Sequence, residues 1–262
     1  MKNASELLSQ ENKSINCMLG TPFEKAKKVE QDMYNFVRSH NVPAAYQTPI
    51  NGYYVETRAW EYSMAVAFTN PKSGDKILDA AGSNSILSWY LAHKGAHVLG
   101  VDFLPMHEER GLINKKYFGL NNVEFITGDI TKAEGEFDFI YNICVFEHVM
   151  QLYREKTKGR YAGGFWGNGY QPTPEEWEAE RSVLRHHVRT LKPGGILVIS
   201  YDAFWHENKK RNGRASGLRS VKDVEERIVK ESGLELYGGP INGNPHPVGK
   251  HCIGIVFLKK PE

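Results

Sequence analysis

Lys76-Ile77-Leu78-Asp79-Ala80-Ala81-Gly82-Ser83-Asn84-Ser85-Ile86-Leu87-Ser88-Trp89-Tyr90-Leu91 is an apolar run that ends in an acid, turns through small residues and reopens as a helix-forming segment. A short strand followed at once by a helix is the unit from which parallel sheets are built. Gly82 lets backbone approach a neighbour that a Cβ would exclude. The helix that follows presents free N–H groups and the positive end of its dipole, which suit an anionic group. Twenty residues after Gly82 the next apolar run, 97–101, ends in Asp102, placed to accept hydrogen bonds from ribose hydroxyls. A dinucleotide loop would read G-x-G-x-x-G, and Ala80 and Asn84 stand where it needs glycine. The run therefore suits a nucleoside ligand without a pyrophosphate.

Working outward, strands are predicted at 76–79, 97–101, 123–126, 137–142, 196–200, 234–237 and 252–258. Helices are predicted at 85–94, 105–118, 146–154, 174–191 and 221–232. Thr173-Pro174-Glu175-Glu176 has the capping-box pattern, and Gly233 sits where a helix-ending glycine belongs. The alternation predicts an α/β fold, a doubly wound and mainly parallel seven-stranded sheet. Its last two strands, joined by a loop alone, should be antiparallel. Before it lies an N-terminal helical extension, 1–72, and the boundary is marked by Asn70-Pro71 and Ser73-Gly74. In the extension Thr21-Pro22-Phe23-Glu24 starts a helix whose Ala26, Val29, Met33, Phe36 and Val37 share one face. An aromatic-rich stretch, 60–68, is expected to pack on the main domain, 73–262.

Composition excludes more than it selects. A chain of 262 residues with 40% hydrophobic and 24% charged residues has the content of an ordinary globular protein. A net charge of +2 gives no field for broad nucleic-acid binding. Three scattered cysteines, Cys17, Cys144 and Cys252, form neither a metal motif nor a disulfide framework, so a reducing, cytoplasmic setting is expected. No stretch reads as a membrane span or signal peptide.

Three later segments repeat the theme of an acid or polar residue at a strand end: Phe125-Ile-Thr-Gly-Asp129-Ile130, Phe137-Asp-Phe-Ile-Tyr-Asn142 running on to Phe146-Glu-His148-Val149, and Leu191-Lys-Pro-Gly-Gly-Ile-Leu-Val-Ile-Ser200. With the runs ending in Gly82 and Phe103, this order resembles the class I S-adenosylmethionine-dependent methyltransferases. The resemblance covers 75–258 and departs from the family's glycine-rich first motif at Ala80 and Asn84. It implies a Rossmann-like methyltransferase fold with S-adenosyl-L-methionine as cofactor. It also implies that Asp79, Ala80, Ala81 and Gly82 line the methionine end. Asp102 would hold the ribose with Phe103 beside the adenine, Asp129 and Ile130 would contact the adenine amine and ring, and Asn142 would approach the sulfonium. Arg58, in Glu56-Thr-Arg-Ala-Trp-Glu-Tyr62, would cap the cofactor, or its segment would simply pack aromatics onto the sheet.

A methyl on a sulfonium is already activated, so transfer needs alignment, and a base only where the acceptor carries a proton. His148 is the candidate catalytic base; the alternative is that Glu147-His148 only begins a helix. No metal ligand set is identified. Two connections are expected to build the acceptor site: 151–173, with Tyr161, Phe165, Trp166 and Tyr170, and 201–219, with Trp205 and the basic run Lys209-Lys210-Arg211. A third, 238–250, carries His246 between prolines. The leading reading is methyl transfer to a small molecule, with oxygen slightly favoured. Alternatives are a protein or RNA methyltransferase, a catalytically silent cofactor-binding subunit, and a nicotinamide dehydrogenase.

Overall fold

The computed structural model describes residues 21–40, 55–82, 85–104, 106–143, 145–146, 148–149, 152–153, 173–203, 224–237, 241–243 and 252–262. Helices α1 (Thr21–Ser39) and α2 (Val55–Thr69) precede β1 (Lys76–Ala80), α3 (Ile86–His93), β2 (His97–Asp102), α4 (Met106–Phe118) and β3 (Val123–Thr127). A 3-10 turn, Ile130–Lys132, leads to β4 (Phe137–Ile143). Then come α5 (Pro174–Thr190), β5 (Leu191–Ala203), β6 (Glu235–Leu236), β7 (Ile241–Gly243) and β8 (Cys252–Lys259).

The sheet runs β3-β2-β1-β4-β5-β8-β6, with β7 also on β8. Strands β1 to β5 pair in parallel, and β8 is antiparallel to β5, β6 and β7. The sequence predicts seven strands and the described residues form eight. Because β5 occupies one edge of β8 along its whole length, β6 and β7 must share the other, β6 at Leu258–Lys259 and β7 at 253–255. The predicted strand 234–237 is thus only the first piece of an interrupted edge, which resumes inside the connection read as a loop.

Helix ends follow their sequence signals. Thr173 accepts from the Glu176 N–H while Glu176 returns a bond to the Thr173 N–H, the reciprocal capping box. Gly233, at φ 66°, ends the segment 224–232 in the left-handed conformation. That segment differs from a plain helix, because Glu225–Val229 winds as a π-turn before Lys230–Ser232. Residues 146, 148, 149, 152 and 153, after β4, are helical as expected.

Alternation along the strands sends side chains into two separate cores. Ile77, Tyr141, Ile143, Ile196 and Val198 face α1, α2 and α3, with Ala26, Met33, Phe36, Val37, Trp89 and Phe118. Leu78, Ile140, Leu197 and Ile199 face α5 and the 224–234 segment. The predicted apolar face of α1 is buried in the first core, with Val29 at its rim.

Candidate functional site

The chain places β1, β2 and β3 side by side, then returns to lay β4 on the other flank of β1. Successive connections leave in opposite directions there, and the gap between the carboxyl ends of β1 and β4 is where doubly wound sheets bind ligands.

Asp79 lies one residue from the end of β1 and is 2% exposed. Its Oδ2 accepts the hydroxyls of Ser85, at 2.7 Å, and of Ser88. Ser85 also caps α3, its Oγ accepting from the Ser88 N–H. Burial pushes the Asp79 carboxyl up to about 6, against the two serine hydroxyls that pull it down, and the Asp102 charge adds to the rise. Gly82 presses on this carboxyl group: a Cβ there would stand 2.3 Å from Asp79 Oδ2. Between them Ala81 adopts φ 59°, a left-handed conformation unusual for a residue with a Cβ, and its N–H donates to Val101 O at 2.7 Å. The turn is therefore braced twice, by the acid and serines beneath it and by β2 beside it. The sequence points to Asp79 and Gly82; the spacing of Ser85 and Ser88, three apart in a first helical turn, was the available signal for the rest.

At the end of β2, Asp102 is 5% exposed and accepts from the Leu104 N–H at 3.0 Å. Its carbonyl receives the Gly128 N–H, which joins the ends of β2 and β3. Beside it Phe103 and Ile126 are 47% and 41% exposed, so two large apolar side chains face outward at the sheet edge. Asp129 caps the 3-10 turn through the Thr131 N–H and hydroxyl. Ile130 is half-buried and leans on the α5-side core. A flat apolar ring flanked by hydroxyls fits these residues: acids at the ends of β1 and β2, an apolar pair on the β3 side of the second acid and a turn that admits no Cβ.

One sequence-selected side chain points away from this gap. Asn142 is fully buried, and its amide meets His187 Nε2 of α5 at 3.0 Å. Strand alternation explains the departure, since Tyr141 and Ile143 take the α2 face and Asn142 must take the other. Its side chain therefore does not approach a sulfonium in the cleft, and only its backbone reaches the strand end. Burial, with His186 adding, pushes His187 down to about 3, so it is neutral. Asn142 Oδ1 and His187 Nδ1 find no hydrogen-bond partner among the described residues. His148 is exposed just past β4, its N–H donating to Val145 O. Arg58 lies on α2, but its side chain is outside the described residues, as are the aromatic and basic connections 154–172 and 204–223 and His246. Among the described residues no group of three His, Cys, Asp or Glu could hold a metal ion.

A buried acid of α2 was missed. Glu61 of α2 is fully buried and accepts the Ser200 hydroxyl of β5. Its place in an aromatic-rich helical stretch gave no sign of a partner 139 residues away.

Residues 71–233 match the family model for a methyltransferase domain. The chain belongs to the class I S-adenosylmethionine-dependent methyltransferases. Its cofactor is S-adenosyl-L-methionine, which supplies an activated methyl group. Among curated relatives, this methyltransferase is 32% identical over 72 residues to an uncharacterized RNA methyltransferase of Oceanobacillus iheyensis, covering 28% of this chain and 16% of that one. It is 25% identical over 146 residues to protein-L-isoaspartate O-methyltransferase 2 of Archaeoglobus fulgidus, covering 53% of this chain and 66% of that one. The chain thus spans less than two thirds of either relative. Similar solved folds include the [4+2]-cyclase SpnF, with TM-score 0.57, 13% identity, and 78% and 82% coverage of this chain and that one. Another is the N-methyltransferase NodS of Bradyrhizobium japonicum with bound S-adenosylhomocysteine, with TM-score 0.54, 13% identity, and 88% and 98% coverage. Magnesium protoporphyrin IX methyltransferase of Synechocystis has TM-score 0.54, 16% identity, and 87% and 90% coverage. These likenesses support the fold; acceptors lie outside what a shared fold can specify.

Proposed function

We propose that this methyltransferase acts on a small-molecule acceptor, with oxygen as the slightly favoured acceptor atom. The observation that carries the reading is α2, which covers the sheet beside the switch point and is tied to β5 through Glu61 and Ser200. That arrangement favours a compact acceptor over a polymer laid across an open face. The net charge of +2 argues in the same direction against RNA.

In this reading Asp102 holds the ribose hydroxyls, Phe103 flanks the adenine, and Asp129 and Ile130 stand at its far edge. The turn Asp79–Gly82 passes under the methionine end, and Arg58 caps it. The acceptor's lone pair displaces the methyl group in line, and the sulfur keeps the electrons of the broken bond. Where the acceptor is a hydroxyl, His148 takes its proton. Residues 1–72 serve as a cap on the domain 73–262, and the enzyme works in the cytoplasm; among the described residues no helix is long and apolar enough to cross a membrane.

Calorimetric titration with S-adenosylhomocysteine, followed by release of that product from S-adenosylmethionine against panels of phenols, carboxylic acids and amines, tests the proposal. Turnover with a small hydroxyl acceptor, lost in His148→Ala, or with a small carboxylate acceptor, which needs no base, is the expected result. Turnover only on protein or RNA would overturn it, and the isoaspartyl enzyme among the curated relatives makes protein carboxyl groups the comparison to include.

A further inference from the structure

Leu112, in the middle of α4, is the most exposed large apolar side chain among the described residues, at 64%. Its helix is already seated. Gly111, Asn114 and Phe118 lie buried on the inner face, and a Cβ on Gly111 would stand 2.6 Å from the Phe125 ring of β3. The backbone of α4 therefore rests directly on the edge strand. Glu108 fastens the first turn, its Oε2 accepting the Thr127 N–H at the end of β3. At about 100° per residue, Glu109, Leu112 and Lys116 fall on the face turned away from the sheet. Glu108 and Lys115 flank this face on one side and Tyr117, also exposed, on the other. A helix covered on one side needs apolar residues on that side only, so Leu112 has no partner to serve within the chain.

The charges around Leu112 mirror each other. Glu108 and Glu109 lie one turn before it, Lys115 and Lys116 one turn after it. Acids first and lysines last complement the helix dipole, which accounts for the ends but not for a leucine exposed midway between them. Among the described residues Glu109, Lys115 and Lys116 make no ion pair. We propose that the outer face of α4 is an interaction surface for a second copy of this chain, two α4 helices packing antiparallel about a two-fold axis at Leu112. Turned end for end, each acidic turn meets a lysine turn while Leu112 meets Leu112. A parallel arrangement would set acid on acid and lysine on lysine. A partner of unrelated sequence would not need the charges to be symmetric about one residue, and a self-complementary patch is what a two-fold dimer requires. Leu112 supplies the apolar attraction, and the charges set the direction. One helix face is smaller than the interface of a permanent dimer, and exposed ion pairs are screened by salt, so the dimer is weak and salt-sensitive.

Sedimentation equilibrium of the full chain tests the proposal. The mass should rise from one copy toward two as concentration increases, and raising sodium chloride from about 50 mM to about 500 mM should weaken the association. A chain that stays monomeric throughout overturns the proposal. Leu112→Ser should raise the dimer dissociation constant about tenfold or more and leave the melting temperature of the dilute monomer unchanged, because the side chain is exposed there. Association as strong as in the wild type places the interface elsewhere and overturns the proposal. The charges are tested by exchange: Glu108→Lys/Glu109→Lys makes both turns basic, and Lys115→Glu/Lys116→Glu makes both acidic. Each variant alone should be monomeric, and an equimolar mixture should regain two-copy mass. A mixture that stays monomeric, or variants that self-associate like the wild type, overturn the antiparallel arrangement. Should a charge variant fail to fold, the wild-type salt series and Leu112→Ser still decide.

Discussion

Asp79 carries a conflict that a pH series can expose. Its carboxyl is raised from 3.8 to about 6 because burial outweighs the two serine hydroxyls. The folded state therefore holds the proton more tightly than the unfolded state does. The stability this proton contributes is full below about pH 4, falls as pH rises through about 6, and is absent above it. A shift of about two units corresponds to at most roughly 3 kcal/mol. Asp79→Asn, with an amide oxygen still facing Ser85 and Ser88, should flatten this dependence. Urea midpoints at pH 4, 5, 6 and 7 should show the variant gaining on the wild type by about 2–3 kcal/mol across the series. A difference constant with pH would remove the buried-carboxylate account. At this scale the sequence shows which acid ends the strand. It does not show whether that acid faces ligand or its own turn, because that depends on Ser85, Ser88 and the approach of Gly82 in space.

The β1–α3 turn is the element in which local rules are broken, and the breaks sit at the carboxyl end of β1, beside the switch point of the sheet. Ala81 occupies a left-handed conformation where glycine would be unstrained, and Gly82, at an ordinary φ, has no room for a side chain. The glycine required is thus the one pressed on Asp79, and the eroded glycine pattern read from the sequence is compensated by the Ala81 N–H on Val101. Gly82→Ala should cost about 2 kcal/mol or more and weaken S-adenosylhomocysteine binding, since a Cβ at 2.3 Å from a carboxylate oxygen forces the turn to move. Removing the obstruction in Asp79→Ala/Gly82→Ala should recover part of that loss. The two costs are then non-additive in chemical denaturation, whereas strict additivity would show that Gly82 is not held by Asp79. Other elements were legible for the same kind of reason. The capping box at Thr173 and the stop at Gly233 are local chemistry, and both stand as read. Asn142 stands at the end of β4 as read, but the face its side chain takes depends on strand parity, which position alone does not give. The edge strand β7 was missed because three residues on a long neighbour carry no periodicity of their own.

On the scale of the whole molecule, the family match begins at residue 71, after α2, yet the core on that side of the sheet does not begin there. Phe68 stacks on Phe257 of β8, with ring centres 4.6 Å apart. Phe36 stacks on Phe118 at 4.8 Å, and Phe118 on Trp89 at 5.0 Å, so α1 extends an aromatic column rising from α3 and α4. Thr69 donates to Ala65 O and meets the buried Tyr141 hydroxyl, while Glu61 holds Ser200. Periodicity shows which face of α1 is apolar, but the surface it covers requires long-range contacts that sequence spacing does not encode. Deleting everything before Pro71 would strip the α1 and α2 cover from one face of the central sheet and leave only α3 there. Each large apolar side chain uncovered costs about 1.5–3 kcal/mol, and Tyr141 and Ser200 would lose partners across the interface. With Met33, Phe36, Val37, Met64 and Phe68 all removed, the sum reaches the 5–15 kcal/mol that holds a domain together. The fragment 71–262 is therefore expected to unfold without a cooperative thermal transition and to bind a hydrophobic dye at 25 °C, although it contains the entire matched region. A fragment that melts cooperatively and binds S-adenosylhomocysteine as the full chain does would make the extension a separable cap.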